Sequence, residues 1–143
     1  MSRRIPHPRP ARRGATAVEM AIVLPVLLTI AFACLDYARV LRGKIILANA
    51  ARVGAEYGAT HRFVDDTRTA WEAAIRTAAH EEGATIPGYT PAGFGVAIQT
   101  TTEASGTVRV RVSAAMSFHT LVRWPGIPAT IALQHAVATR QYQ

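Results

Sequence analysis

From Met20 to Leu35 the chain carries an apolar stretch of 16 residues with no charged side chain, and five arginines with no acid stand in the 14 residues around and before its approach. This arrangement constrains the fold more than any other feature. The stretch alone is short for a membrane span. Adding Ala15 to Val18 and the turn from Tyr37 to Leu41 gives a helix of 27 residues. At about 1.5 Å per residue that is roughly 40 Å, enough to cross a hydrocarbon core of roughly 30 Å. The arm of residues 1–14 holds Arg3, Arg4, Arg9, Arg12 and Arg13, a charge of +5, whereas residues 15–143 hold 11 basic and 9 acidic groups. Only Arg39, Arg42 and Lys44 follow the span closely. The bias places the N-terminus in the cytoplasm and residues 45–143 outside, a single pass through the inner membrane.

A net charge of +7 would ordinarily raise nucleic acid as a partner. The body of the chain is nearly neutral and has no basic stripe interleaved with aromatic residues, so no nucleic-acid partner is expected. The single cysteine, Cys34, excludes an internal disulfide and the usual thiolate zinc sites. His7, His61, His80, His119 and His135 lack metal-ligand spacing, and Ser113, Ser117 and His119 lack a nucleophile elbow, so neither a cofactor nor an enzyme is expected.

Within the apolar helix, two residues stand out. Pro25 frees the carbonyl of Ala21 and tends to kink the helix, which membrane helices tolerate. Glu19 is a carboxylate one turn into an apolar segment, costing on the order of 2.5–3.5 kcal/mol at a bilayer centre and less near an interface. Two readings are open for it. It snorkels to the headgroups, or it meets a partner. A partner arises if the chain is cut between Gly14 and Ala15, because the new α-amino group of Ala15 then lies one turn before Glu19 and can pair with it across subunits. A competing cut is an ordinary signal-peptidase site after Ala33, where Ala31-Phe32-Ala33 satisfies the small-x-small rule. On that alternative the protein is an anchored or secreted binding module, and the helix is only an anchor or a signal.

The run Arg12-Arg13-Gly14-Ala15-Thr16-Ala17-Val18-Glu19-Met20-Ala21-Ile22-Val23-Leu24-Pro25, with Asp36-Tyr37-Ala38-Arg39 and Ala50-Ala51-Arg52-Val53-Gly54-Ala55 after it, resembles the TadE-like family. These are pseudopilins of the tight-adherence (Flp) pilus system, a branch of the type IV pilus and secretion machinery. The resemblance implies a leader, residues 1–14, cut after Gly14 by a membrane prepilin peptidase that commonly also methylates the new amino terminus. It also implies that Glu19 is the fifth residue of the mature chain. Other pilin or pseudopilin subunits and pilus assembly proteins are the implied partners, with incorporation into a surface pilus as the outcome. Met20 stands where family members often carry an aromatic residue.

Beyond the span, Arg42, Asn49, Arg52 and Glu56 fall on one side of a continuing helix, and Ile46, Leu47, Ala50, Val53, Gly54 and Tyr57 on the other. The spacing predicts an amphipathic stalk to about residue 60. Ala50, Gly54 and Gly58, four apart, permit close helix packing, either within the chain or between subunits. A second helix is expected over 67–82, capped by Asp65 or Asp66 and ended by Gly83, with Trp71, Ala74, Ile75 and Ala78 as its apolar face. Residues 83–95 read as a loop. Then the period changes from 3.6 to 2. Phe94, Val96 and Ile98 precede a turn at Ala104-Ser105-Gly106, and Val108, Val110, Val112, Ala114, Met116 and Phe118 alternate with polar or small residues. A third strand is expected over about 130–140, with Ile131, Leu133 and Val137 inward. The expected architecture is α+β and pilin-like: a long N-terminal membrane-spanning helix continuing into the stalk (15–60), then an extracytoplasmic head (61–143) of one helix and about three antiparallel strands.

Overall fold

The computed structural model describes residues 13–122 and 126–141. Most of the expected basic leader therefore lies outside the described residues. A single helix, α1, runs Arg13–Thr60 without a break through Pro25. The hydroxyl of Thr29 donates to the carbonyl of Pro25 at 2.7 Å. A 3₁₀ turn, Asp65–Thr67, leads into α2, Arg68–Gly83. Three strands follow: β1 Phe94–Thr102, β2 Val108–His119 and β3 Thr130–Arg140. Contacts divide the chain into two units at Leu35 and Asp36.

The first unit is the N-terminal part of α1. Its large apolar side chains are exposed, among them Ile22, Leu27 and Ile30. No residue of the most apolar 18-residue window is buried. Length and composition suit it to crossing a membrane.

The second unit, from Asp36 onward, is an α+β head. Its sheet is an antiparallel meander in the order β1-β2-β3. Val96 lies opposite Ala114 and Ile98 opposite Val112; on the other side of β2, Val112 faces Val137 and Met116 faces Leu133. Strict alternation along β2 sends Val110, Val112, Ala114, Met116 and Phe118 to one face, where all five are buried. The turn between β1 and β2 places Gly106 at φ +79°, a conformation glycine adopts without a Cβ penalty. In β3 Leu133 is fully inward, while Ile131 and Val137 are half-buried.

Helices α1 and α2 share that core with the sheet. Leu47, Ala50, Ala51 and Ala55 of α1 and Trp71, Ile75 and Ala79 of α2 are buried with the strand residues. The stalk and the head thus form one packed unit. Two expected faces are rotated. Val53, expected inward, is 38% exposed, and Ala51, Ala55 and Ala59 are buried instead. Small side chains admit α2 and β2 at short range, so the narrow Ala/Gly face is the one that packs and the branched valine is left at its rim. In α2 the buried row is Trp71, Ile75, Ala79 and Gly83, with Ala74 and Ala78 only half-buried.

The ends of α2 also differ from expectation. Asp65 and Asp66 form the 3₁₀ turn instead of capping, and neither they nor Thr67 gives the helix a side-chain cap. Thr67 instead closes the turn, accepting from the Val64 amide at 3.0 Å. Gly83 is the last helical residue, with no positive φ. Its role is contact: a Cβ there would stand 2.7 Å from the Phe94 ring. Along β1, an edge strand, Arg76 donates to the Val96 carbonyl and Arg68 to the Thr100 side-chain Oγ1 at 2.9 Å, so α2 occupies one backbone acceptor of the edge and a hydroxyl beside it.

Candidate functional site

The residues singled out in the sequence fall into two groups on α1. Gly14, Ala15, Glu19 and Pro25 lie in the first unit. Gly14 and Ala15 stand at the start of the described part of α1. Both are exposed, and the space around the Gly14 Cα is open to 4 Å. Glu19 is exposed one turn further on, and among the described residues it has no hydrogen-bond or ion-pair partner. A lone carboxylate on an otherwise apolar helix has only two favourable environments in a membrane setting: headgroups, or a cation supplied by another chain.

Ala50, Gly54 and Gly58 lie in the second unit and face inward. A Cβ on Gly54 would meet Val112 Cγ1 at 3.2 Å and Ala79 and Ile75 at 3.4 Å. On Gly58 it would meet Ile75 Cδ1 at 2.9 Å, Val110 Cγ1 at 3.0 Å and Trp71 Cζ2 at 3.2 Å. The row of small residues therefore lets α1 approach α2 and β2 of its own chain.

Asp36 is the residue that the sequence did not single out for a role within the head. It is 5% exposed, a buried carboxylate at the first position of the second unit. Its Oδ1 accepts from the Leu121 amide at 2.9 Å and its Oδ2 from the Val122 amide at 3.3 Å. Arg39, one turn on, donates to Oδ1 at 3.3 Å, and the Arg39 guanidinium lies 5.0 Å from the centre of the Phe118 ring. Two backbone amides and a guanidinium replace the water that burial removes from the carboxylate. The result fastens the loop after β2 to the start of the stalk. The only sequence hint was the Asp-x-x-Arg spacing. The amides lie 85 and 86 residues away, which no local pattern reveals.

At the other end of the sheet, Glu103 binds Arg109 at 2.7 Å and Arg140 at 3.2 Å. Among the described residues no group of three or more histidine, cysteine, aspartate or glutamate side chains is placed to hold a metal.

An exposed apolar helix that continues into a small α+β head is the architecture of a protein carried on a single N-terminal helix. The family model described as TadE-like protein matches residues 14–56, beginning at Gly14 and ending within the packed part of α1. Over that segment the chain is similar to the TadE-like family. No curated protein and no solved structure matches it.

Proposed function

We propose that this chain is a TadE-like pseudopilin, a membrane-anchored structural or assembly subunit of a tight-adherence pilus system and not an enzyme. The observation that carries the reading is the coincidence of the family match, residues 14–56, with one continuous helix whose apolar half is wholly exposed and whose remainder packs against the head. In this reading a prepilin peptidase removes residues 1–14, and α1 crosses the inner membrane with the N-terminus in the cytoplasm and the head outside. Other pilin or pseudopilin subunits then gather around the exposed helix. The exposure of Gly14 and Ala15 supports the cut, since a protease must reach the bond it cleaves.

Glu19 serves assembly in this account. The Ala15 amine of a neighbouring subunit supplies a cation that no described residue of the same chain brings to Glu19, in a low-dielectric setting where the pair is worth more than at a wet surface. The test is Glu19→Gln, followed in membranes and in sheared surface fractions. The variant should remain abundant, membrane-bound and processed but be lost from assemblies. Assembly equal to the parent protein would mean that Glu19 only snorkels to the headgroups.

A further inference from the structure

The loop joining β2 to β3 exposes two large apolar side chains, Leu121 at 63% and Ile127 at 52%. Its neck is closed, the Thr120 amide donating to the Ala129 carbonyl at 3.1 Å, and Gly126 turns the chain at φ +80°. Asp36 fixes its position within the head, because Leu121 and Val122 donate their amides to that carboxylate. Asp36 is also the residue at which the uncharged apolar run ends. Counting back from Leu35, about 20 residues at about 1.5 Å each fill a hydrocarbon core of roughly 30 Å and reach Thr16. Asp36 then stands at the outer edge of that core. Tyr37, 65% exposed, is an aromatic residue at the depth where such rings concentrate.

We propose that the β2–β3 loop is a second membrane contact of the head, with Leu121 and Ile127 resting in the outer headgroup region of the bilayer that α1 crosses. The proposal rests on the reading of α1 as a membrane anchor and does not depend on pilus assembly. Among the described residues of the loop, two exposed large apolar side chains offer far less area than the roughly 800 Å² per partner of a stable protein interface. They suffice for a bilayer, into which a head already tethered at Asp36 inserts side chains without the entropy cost of a separate encounter. The contact would fix the tilt of the head on the membrane before assembly.

The test uses the full chain with Cys34→Ala and one added cysteine, Leu121→Cys or Ile127→Cys, carrying an environment-sensitive dye. Each protein is placed at low density in phosphatidylethanolamine/phosphatidylglycerol vesicles containing lipids spin-labelled near the headgroup. Both loop positions should show blue-shifted emission that is quenched by the headgroup-labelled lipid, as expected for side chains at interfacial depth. Ser105→Cys, on the β1–β2 turn, should emit as in water. Leu28→Cys, within the span, should be quenched by lipids labelled at mid-chain. If Leu28→Cys is quenched while both loop positions behave like Ser105→Cys, the anchor reading stands and the loop contact is refuted. If Leu28→Cys is not quenched either, the anchor reading fails and the loop contact with it. A blue shift that grows with protein density without lipid quenching would give the surface to a second copy, and this too overturns the proposal.

Discussion

Replacing Asp36 with alanine removes the acceptor from two amides at once. The side chain is 7% exposed, so water does not readily take its place. An N–H left buried and unpaired costs about 1–3 kcal/mol. Both contacts are part-buried and Leu121 itself is exposed, so each amide belongs toward the lower part of that range. The Arg39 pair adds only a few tenths, its guanidinium being 34% exposed and screened. The expected loss is about 2–4 kcal/mol, a large share of the 5–15 kcal/mol that holds an ordinary domain together. With a urea slope of about 2 kcal/mol per molar, the midpoint of the full chain in detergent should fall by about 1–2 M. Asp36→Asn keeps one acceptor and presents an amide N–H₂ to the second backbone N–H, so it should fall between. Hydrogen exchange at Leu121 and Val122 should accelerate in both variants, while Val110 and Val112, in the centre of the sheet, should lose protection only by the amount that global stability falls. An Asp36→Ala protein with the parental midpoint and unchanged exchange at Leu121 would refute the claim that this carboxylate holds the loop.

The glycines give a graded set of outcomes. Gly54→Ala should stay within about 1 kcal/mol of the parent in chemical unfolding, because contacts of 3.2–3.4 Å yield slightly and alanine gains about 1 kcal/mol over glycine in a helix. Gly58→Ala should cost about 1–3 kcal/mol in the same assay, since its Cβ would press on Ile75, Val110 and Trp71 at 2.9–3.2 Å with all three side chains buried. Gly83→Ala should likewise lower the unfolding midpoint despite its helical position, because the Phe94 ring at 2.7–2.8 Å is itself held between His80 and Tyr89.

The sheet was legible because β2 alternates from Val108 to Phe118 with only Ala115 as an apolar residue on the outer face, and a period of two has one physical interpretation. The hairpin follows from it and from the turn at Ala104-Ser105-Gly106. The apolar run of α1 was equally plain, since nothing but a membrane or a partner covers so many exposed large side chains. The rotation of α1 in the head was not legible. Hydropathy ranks Val53 above Ala51 and Ala55, but the packing distance to α2 and β2 selects for small volume, and volume does not enter a hydropathy pattern. Gly83 reads as a helix stop by residue type, and only the position of Phe94, eleven residues later, assigns it to a ring contact. Asp36 closes the apolar run in sequence, yet the amides it binds lie 85 and 86 residues further along the chain.

The identity of the mature N-terminus tests the central claim most directly. Mass spectrometry of the protein recovered from native membranes should find a chain beginning at Ala15, shorter by the arginine-rich residues 1–14, with an added methyl where the amine is modified. Gly14→Leu should abolish that species, since a bulky side chain fills the space where the peptidase needs bare backbone. A chain beginning at Cys34, as an ordinary signal peptidase would leave it, or one that retains residues 1–14 in both proteins, would contradict the pseudopilin account.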